Sequence, residues 1–130
     1  MKLFEYVQSG DYKGEKHVPV IEAPETVEAG QLFEIKASVG KEIAHPNKPE
    51  HHIVWIKLFY LPEGSKLLIE LGNFEFSAHG AAMDITAQGP AKAEPTATIF
   101  TKIEKPGTIY ALSYCNIHGL WESSKEIKIK

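Results

Sequence analysis

The chain has 130 residues, is 43% hydrophobic and carries a formal net charge of −3, which fits one domain spanning 1–130 with a single buried core. No apolar run approaches the roughly 20 residues that cross a bilayer. Residues 1 to 14 lack the basic and apolar regions of a secretory signal, so cytoplasmic residence is the default and no membrane partner is expected. All 14 basic residues are lysines that interleave with glutamates, as in Lys102-Ile103-Glu104-Lys105; without arginine's planar fork or a basic stripe, the pattern argues against nucleic acid.

Residues 1 to 20 read as an irregular loop, because Gly10, Asp11 and Gly14 break any period and His17-Val18-Pro19 favours an extended backbone. Glu25 to Val27 is a weak strand that ends at Ala29-Gly30. Leu32 to Val39 alternates, with Phe33, Ile35, Ala37 and Val39 on the core side. Ile53 to Leu61 is apolar on both faces except at Lys57, as suits a central strand. Pro62-Glu63-Gly64-Ser65 turns it into a second arm, Lys66 to Leu71, and Asn73 to Ala78 forms another short strand. Gly80 to Pro95 reads as a long surface loop. Thr96 to Ile103, Gly107 to Tyr114 and Lys125 to Ile129 complete the set. About seven short strands at this spacing, with no helical period, predict an all-β fold: an antiparallel, immunoglobulin-like sandwich or barrel.

Five residues carry the chemistry. His17 lies in the first loop, His45 follows the turn at Gly40, and His51 stands at the mouth of the central strand. Cys115 and His118 follow directly on a core strand. Loops at one end of a sandwich converge, so these segments can meet. Imidazoles with one thiolate suit iron, copper or zinc and not calcium or magnesium; five donors are too many for a structural zinc site. A lone cysteine cannot form an intramolecular disulfide, and its bland reading is a small packing residue. Two alternatives stay open: a cupredoxin-like copper electron-transfer protein, and a metal-free immunoglobulin-like binding module. The first commonly adds an axial methionine soon after the last histidine, whereas Met1 and Met83 are the only methionines here.

Three strings bear a family resemblance: Glu15-Lys16-His17-Val18-Pro19; His45-Pro46 with Glu50-His51-His52-Ile53; and Cys115-Asn116-Ile117-His118-Gly119-Leu120-Trp121. With Ser77-Ala78-His79-Gly80, they resemble the superoxide reductases, and in particular the one-iron neelaredoxins, over nearly the whole chain. The resemblance implies an oxidoreductase that reduces superoxide to hydrogen peroxide at one non-haem iron per chain. It implies four equatorial imidazoles, His17, His45, His51 and His118, with Cys115 axial. It also implies a small redox donor such as rubredoxin, and assembly into homodimers or tetramers. No cysteine precedes Cys115, so the rubredoxin-like iron domain of larger relatives is not expected.

The resemblance gives Glu15 the role of a carboxylate that closes the sixth position of ferric iron, and Lys16 that of the cation near the open face. A positive charge about 6 Å from a bound anion contributes roughly 3 kcal/mol at an effective dielectric near 20, enough to steer superoxide toward an acidic protein. Adjacent strand residues face opposite ways, so His52 is expected to turn away from a metal that His51 faces. His79 and Trp121 read as loop, packing or shielding residues.

Overall fold

A computed structural model describes residues 1–10 and 17–130. Among these, one turn of 3-10 helix at Leu3–Tyr6 precedes nine strands: β1 Gln8–Ser9, β2 Val20–Glu22, β3 Thr26–Val27, β4 Phe33–Ser38, β5 Ile53–Pro62, β6 Ile69–Glu75, β7 Thr96–Thr101, β8 Gly107–Cys115 and β9 Gly119–Ile129. The larger sheet runs β1-β9-β8-β5-β6, with β3 also on β9; the smaller runs β2-β4-β7. All pairs are antiparallel except β1 and β3, which run parallel to β9.

Alternation decides which faces meet. Phe33, Ile35 and Ala37 of β4, with Val39 just beyond, pack against Ile56, Leu58 and Tyr60 of β5, Ile109 and Ala111 of β8 and Ile127 of β9. The lone phenol in that layer, Tyr60, satisfies its hydroxyl on the Lys105 carbonyl at 2.6 Å. The other face of β5 is half-buried rather than buried; there Trp55 packs near Tyr114 and the Lys57 ammonium lies 5.1 Å from a Trp55 ring.

Three elements depart from expectation. The segments read as Lys66 to Leu71 and Asn73 to Ala78 join into one strand, β6, because the chain makes a bulge at Leu71 and not a turn: Leu58 faces Gly72 while Phe59 faces Glu70. β9 begins at Gly119, six residues before Lys125. Its polar stretch Glu122-Ser123-Ser124 is held by full pairing to β8, and the Ser123 hydroxyl donates to the Pro19 carbonyl. The irregular first stretch contributes β1 and the first residue of β2, strands that pair with β9 and β4 respectively.

β5 and β8 pair over nearly their whole lengths, from Ile53 with Cys115 to Pro62 with Gly107. The inward face of β8 runs Ile109, Ala111, Ser113, Cys115, so the hydrophobic core grades along one strand into a polar end. Leu58 is fully buried between the sheets. Leu58→Ala is expected to cost about 2–5 kcal/mol of unfolding free energy, read by urea denaturation; a loss under 1 kcal/mol would show that the sheets do not close over it.

Candidate metal centre

Cys115 is the last residue of β8 and continues its inward alternation, so the thiol is fully buried. Cys115 pairs with Gly119 across a three-residue loop. Gly119 adopts φ +83°, the left-handed conformation that such a hairpin needs and that glycine adopts without steric cost. The tight turn swings His118 back over the thiol: its Nδ1 lies 3.7 Å from Sγ, and its backbone N–H donates to Sγ at 3.4 Å.

His45 and His51 arrive on the segment between β4 and β5. Gly40, at φ +84°, lets the chain fold back so closely that a Cβ there would sit 2.6 Å from the His45 nitrogen. The His45 Nδ1–H donates to the Pro46 carbonyl at 2.7 Å, which leaves Nε2 as the lone-pair nitrogen. Lys48 and His51 exchange backbone hydrogen bonds around Pro49-Glu50, delivering His51 two residues before the Ile53–Cys115 pair. The Asn116 side chain joins the two loops: Oδ1 accepts from the His52 N–H at 2.8 Å, and Nδ2 donates to the Glu50 carbonyl at 3.1 Å.

His17 enters on the first loop, tied down by the buried Ser113 hydroxyl, which donates to its carbonyl at 3.0 Å. The Trp121 ring stacks on His17 with centroids 4.8 Å apart, and its indole N–H donates to the His118 carbonyl.

The four rings form a closed square. Neighbours in the order His17, His45, His51, His118 have centroids 4.7–5.0 Å apart and meet at 63–81°. One donor atom from each, with Cys115 Sγ, makes a set whose members all lie within 4.8 Å of one another. His17 Nε2 and His118 Nδ1 are 3.0 Å apart. Adjacent ligands on a metal with bonds of about 2.1 Å would be separated by about that distance. Nε2 of His45 and of His51 are buried and have no hydrogen-bond partner among the described residues. Two orphaned lone pairs aimed into a nitrogen–sulfur cluster are the signature of a cation site.

The cluster opens to solvent at one side, where His118 is exposed, and is closed on the other by Cys115 and His45. Burial, with the neighbouring imidazoles of His17, His51 and His118, pushes the His45 pKa down to about 4, against the pull of the Pro46 hydrogen bond. Burial and then His118 and His17 push His51 down as well. Both rings are thereby kept neutral and ready as ligands.

All five residues singled out from sequence converge. Glu15 and Lys16 lie outside the described residues. His52, which precedes β5, is not part of the cluster and stacks on His79. Ser113 and the Asn116 side chain were missed; the signal for Ser113 was its polarity in an inward position two residues before the cysteine.

A β-sandwich with four imidazoles squared over one buried thiol defines a protein built to hold a single metal ion. The chain belongs to the desulfoferrodoxin family, whose model matches residues 9–124. It is 49% identical over 130 residues, the full length of both chains, to a neelaredoxin of Megalodesulfovibrio gigas. It is 50% identical to a superoxide reductase of Pyrococcus furiosus, covering 93% of this chain and 95% of that one. The solved structure of a superoxide reductase (neelaredoxin) from Archaeoglobus fulgidus in the reduced form matches with a TM-score of 0.82 at 48% identity, over 95% of this chain and 99% of that one.

Two expectations follow. Unfolded histidine titrates near 6.5, whereas folded His45 resists protonation until about pH 4. The unfolded state therefore binds more protons in that window, and the metal-free protein should lose on the order of 2 kcal/mol as pH falls from 6.5 to 4. Urea denaturation at both ends of the window checks this, a flat response counting against a buried neutral His45. Ser113→Ala should weaken zinc binding about 10- to 100-fold by freeing His17, measured by chelator competition.

Proposed function

We propose that the protein is a superoxide reductase: it takes superoxide, one electron and two protons to hydrogen peroxide at a single iron. The observation that carries the reading is the square of imidazoles over the thiol. Nε2 of His17, His45 and His51, Nδ1 of His118 and Cys115 Sγ would hold the iron. When bound, ferrous iron supplies the electron that superoxide takes up. A copper electron-transfer role needs only two imidazoles and a cysteine, and would leave two corners of the square without a task.

The remaining work belongs to the chain. The Cys115 thiolate is a soft donor whose charge is tempered by the His118 N–H aimed at it, a contact that sets how much electron density it can push. The Pro46 carbonyl fixes the His45 tautomer. Exposed His118 and half-exposed Trp121 offer a short route inward from a docked electron donor, a small redox protein such as rubredoxin. Lys16, immediately before His17 in sequence, attracts the anion to a protein whose net charge repels it. Glu15 is a hard carboxylate, a donor type that would suit ferric iron better than ferrous iron. The half-buried face around Trp55 and Tyr114 is suited to pairing with further copies, as a dimer or tetramer.

Purified protein is expected to carry about one iron per chain and to show a thiolate-to-ferric absorption band that bleaches on reduction and vanishes in Cys115→Ser. Rapid mixing of the reduced protein with superoxide should yield peroxide without oxygen. An iron-loaded protein that stays colourless on oxidation, or is inert to superoxide, would end the reading. Lys16→Ala should slow the second-order rate about tenfold at low salt and flatten its dependence on ionic strength; an unchanged rate removes Lys16 from the mechanism.

A further inference from the structure

Behind the five-residue cluster, His79 joins two segments that the mechanism leaves unconnected. Its Nδ1 lies 2.8 Å from Asn47 Oδ1 and its Nε2 2.7 Å from the Phe76 carbonyl oxygen. Its ring lies flat on that of His52, with centroids 3.5 Å apart and planes within 4°. Asn47 stands two residues after His45 and His52 directly after His51, so two of these three contacts reach the segment that delivers both rings. The third reaches a fixed point, since the Phe76 N–H donates to the Val54 carbonyl of β5.

Neither acceptor can reverse its role. A carbonyl has no proton to give, and the Asn47 amide is oriented from its other end, where Nδ2 donates to the Ala93 carbonyl at 2.9 Å. Turning that amide would set oxygen against oxygen. A neutral imidazole has one N–H, so one ring nitrogen would press a lone pair against an oxygen at 2.7–2.8 Å. Only the imidazolium satisfies both contacts, and distances this short are typical of charge-assisted hydrogen bonds.

Other groups weigh on the balance. Burial, the largest influence, lowers the His79 pKa overall; the Phe76 contact raises it, and His52 lowers it again. Lys48, Lys92 and Glu50 line the same groove of about 470 Å³ beside the ring. Two fixed acceptors on one small ring oppose that fall, because the neutral form must break a hydrogen bond as well as shed its charge.

We propose that His79 is a positioning residue of the metal centre: held as a doubly protonated ring, it clamps the His45–His52 segment to the end of β6 and so fixes the bearing of His45 and His51. The proposal rests on the reading of these two as metal ligands, but not on the reaction performed there.

The test uses the full-length protein loaded with zinc, a diamagnetic stand-in for iron. Long-range proton–nitrogen NMR at neutral pH should report both nitrogens of His79 as protonated; a singly protonated ring overturns the proposal. Three variants separate its contacts. His79→Asn keeps a donor toward Asn47, His79→Gln keeps one toward Phe76, and His79→Phe keeps the stack alone. His79→Phe should weaken zinc binding about 10- to 100-fold and shift the ferric absorption band of the iron-loaded protein, with Asn and Gln intermediate. Unchanged affinity and an unchanged band in His79→Phe, or in His79→Asn should the former not fold, would sink it. A protein with a protonated His79 that reduces no superoxide would refute the proposed activity and leave the clamp standing.

Discussion

Two imidazole nitrogens, Nε2 of His45 and of His51, are buried without a hydrogen-bond partner among the described residues, and the arrangement around them is that of a cation site. A buried polar atom left unsatisfied costs about 1–3 kcal/mol. The fold bears that cost twice, side by side, and adds a buried thiol below. Such a cluster is unfavourable by every rule of core packing, so the residues around it work to hold it in place. The Pro46 carbonyl, the Ser113 hydroxyl, the Asn116 amide and the Trp121 ring each grip a ligand-bearing segment at its backbone or at the back of its ring.

The sheets supply what the loops alone cannot. β8 sits between β9 and β5 in the larger sheet, and its inward rungs pass from Ile109 to Cys115 without a break in period. The thiol is thus placed by the same alternation that places the core. His118 is placed by the shortest device available, a three-residue turn. His51 is placed by the pairing of Ile53 with Cys115. Three of the five donors therefore derive their positions from three neighbouring strands, β5, β8 and β9, whereas His17 and His45 have tethers of their own.

This division explains how much could be read in advance. The period of two in Leu32 to Val39 and the cysteine at the end of a core strand were legible because local alternation decides them. The joining of two segments into β6 was not, since Gly72-Asn73 carries turn chemistry and only its pairing with Leu58 and Lys57, past a bulge at Leu71, keeps it in the strand. The early start of β9 was hidden for a similar reason: Glu122, Ser123 and Ser124 look like a break until β8 pairs with them. β1 and β2 were invisible because two- and three-residue strands have no period of their own. At the site, residue type announced the five donors. The residues that orient them use ordinary serine and asparagine side chains, whose role depends on partners up to 96 positions away.

The contact between His17 and His118 spans 101 positions of sequence. Closing a loop of that size in a flexible chain is entropically steep, comparable to the roughly 4.7 kcal/mol that a cross-link over 100 residues removes from an unfolded ensemble. Here the sandwich helps to close the loop, through Ser113 at one end and the β8–β9 turn at the other. An ion held there would sit in a macrocycle of chain, much as in a crown ether. Its grip becomes a measure of how firmly the two distant ends of the chain are sewn together.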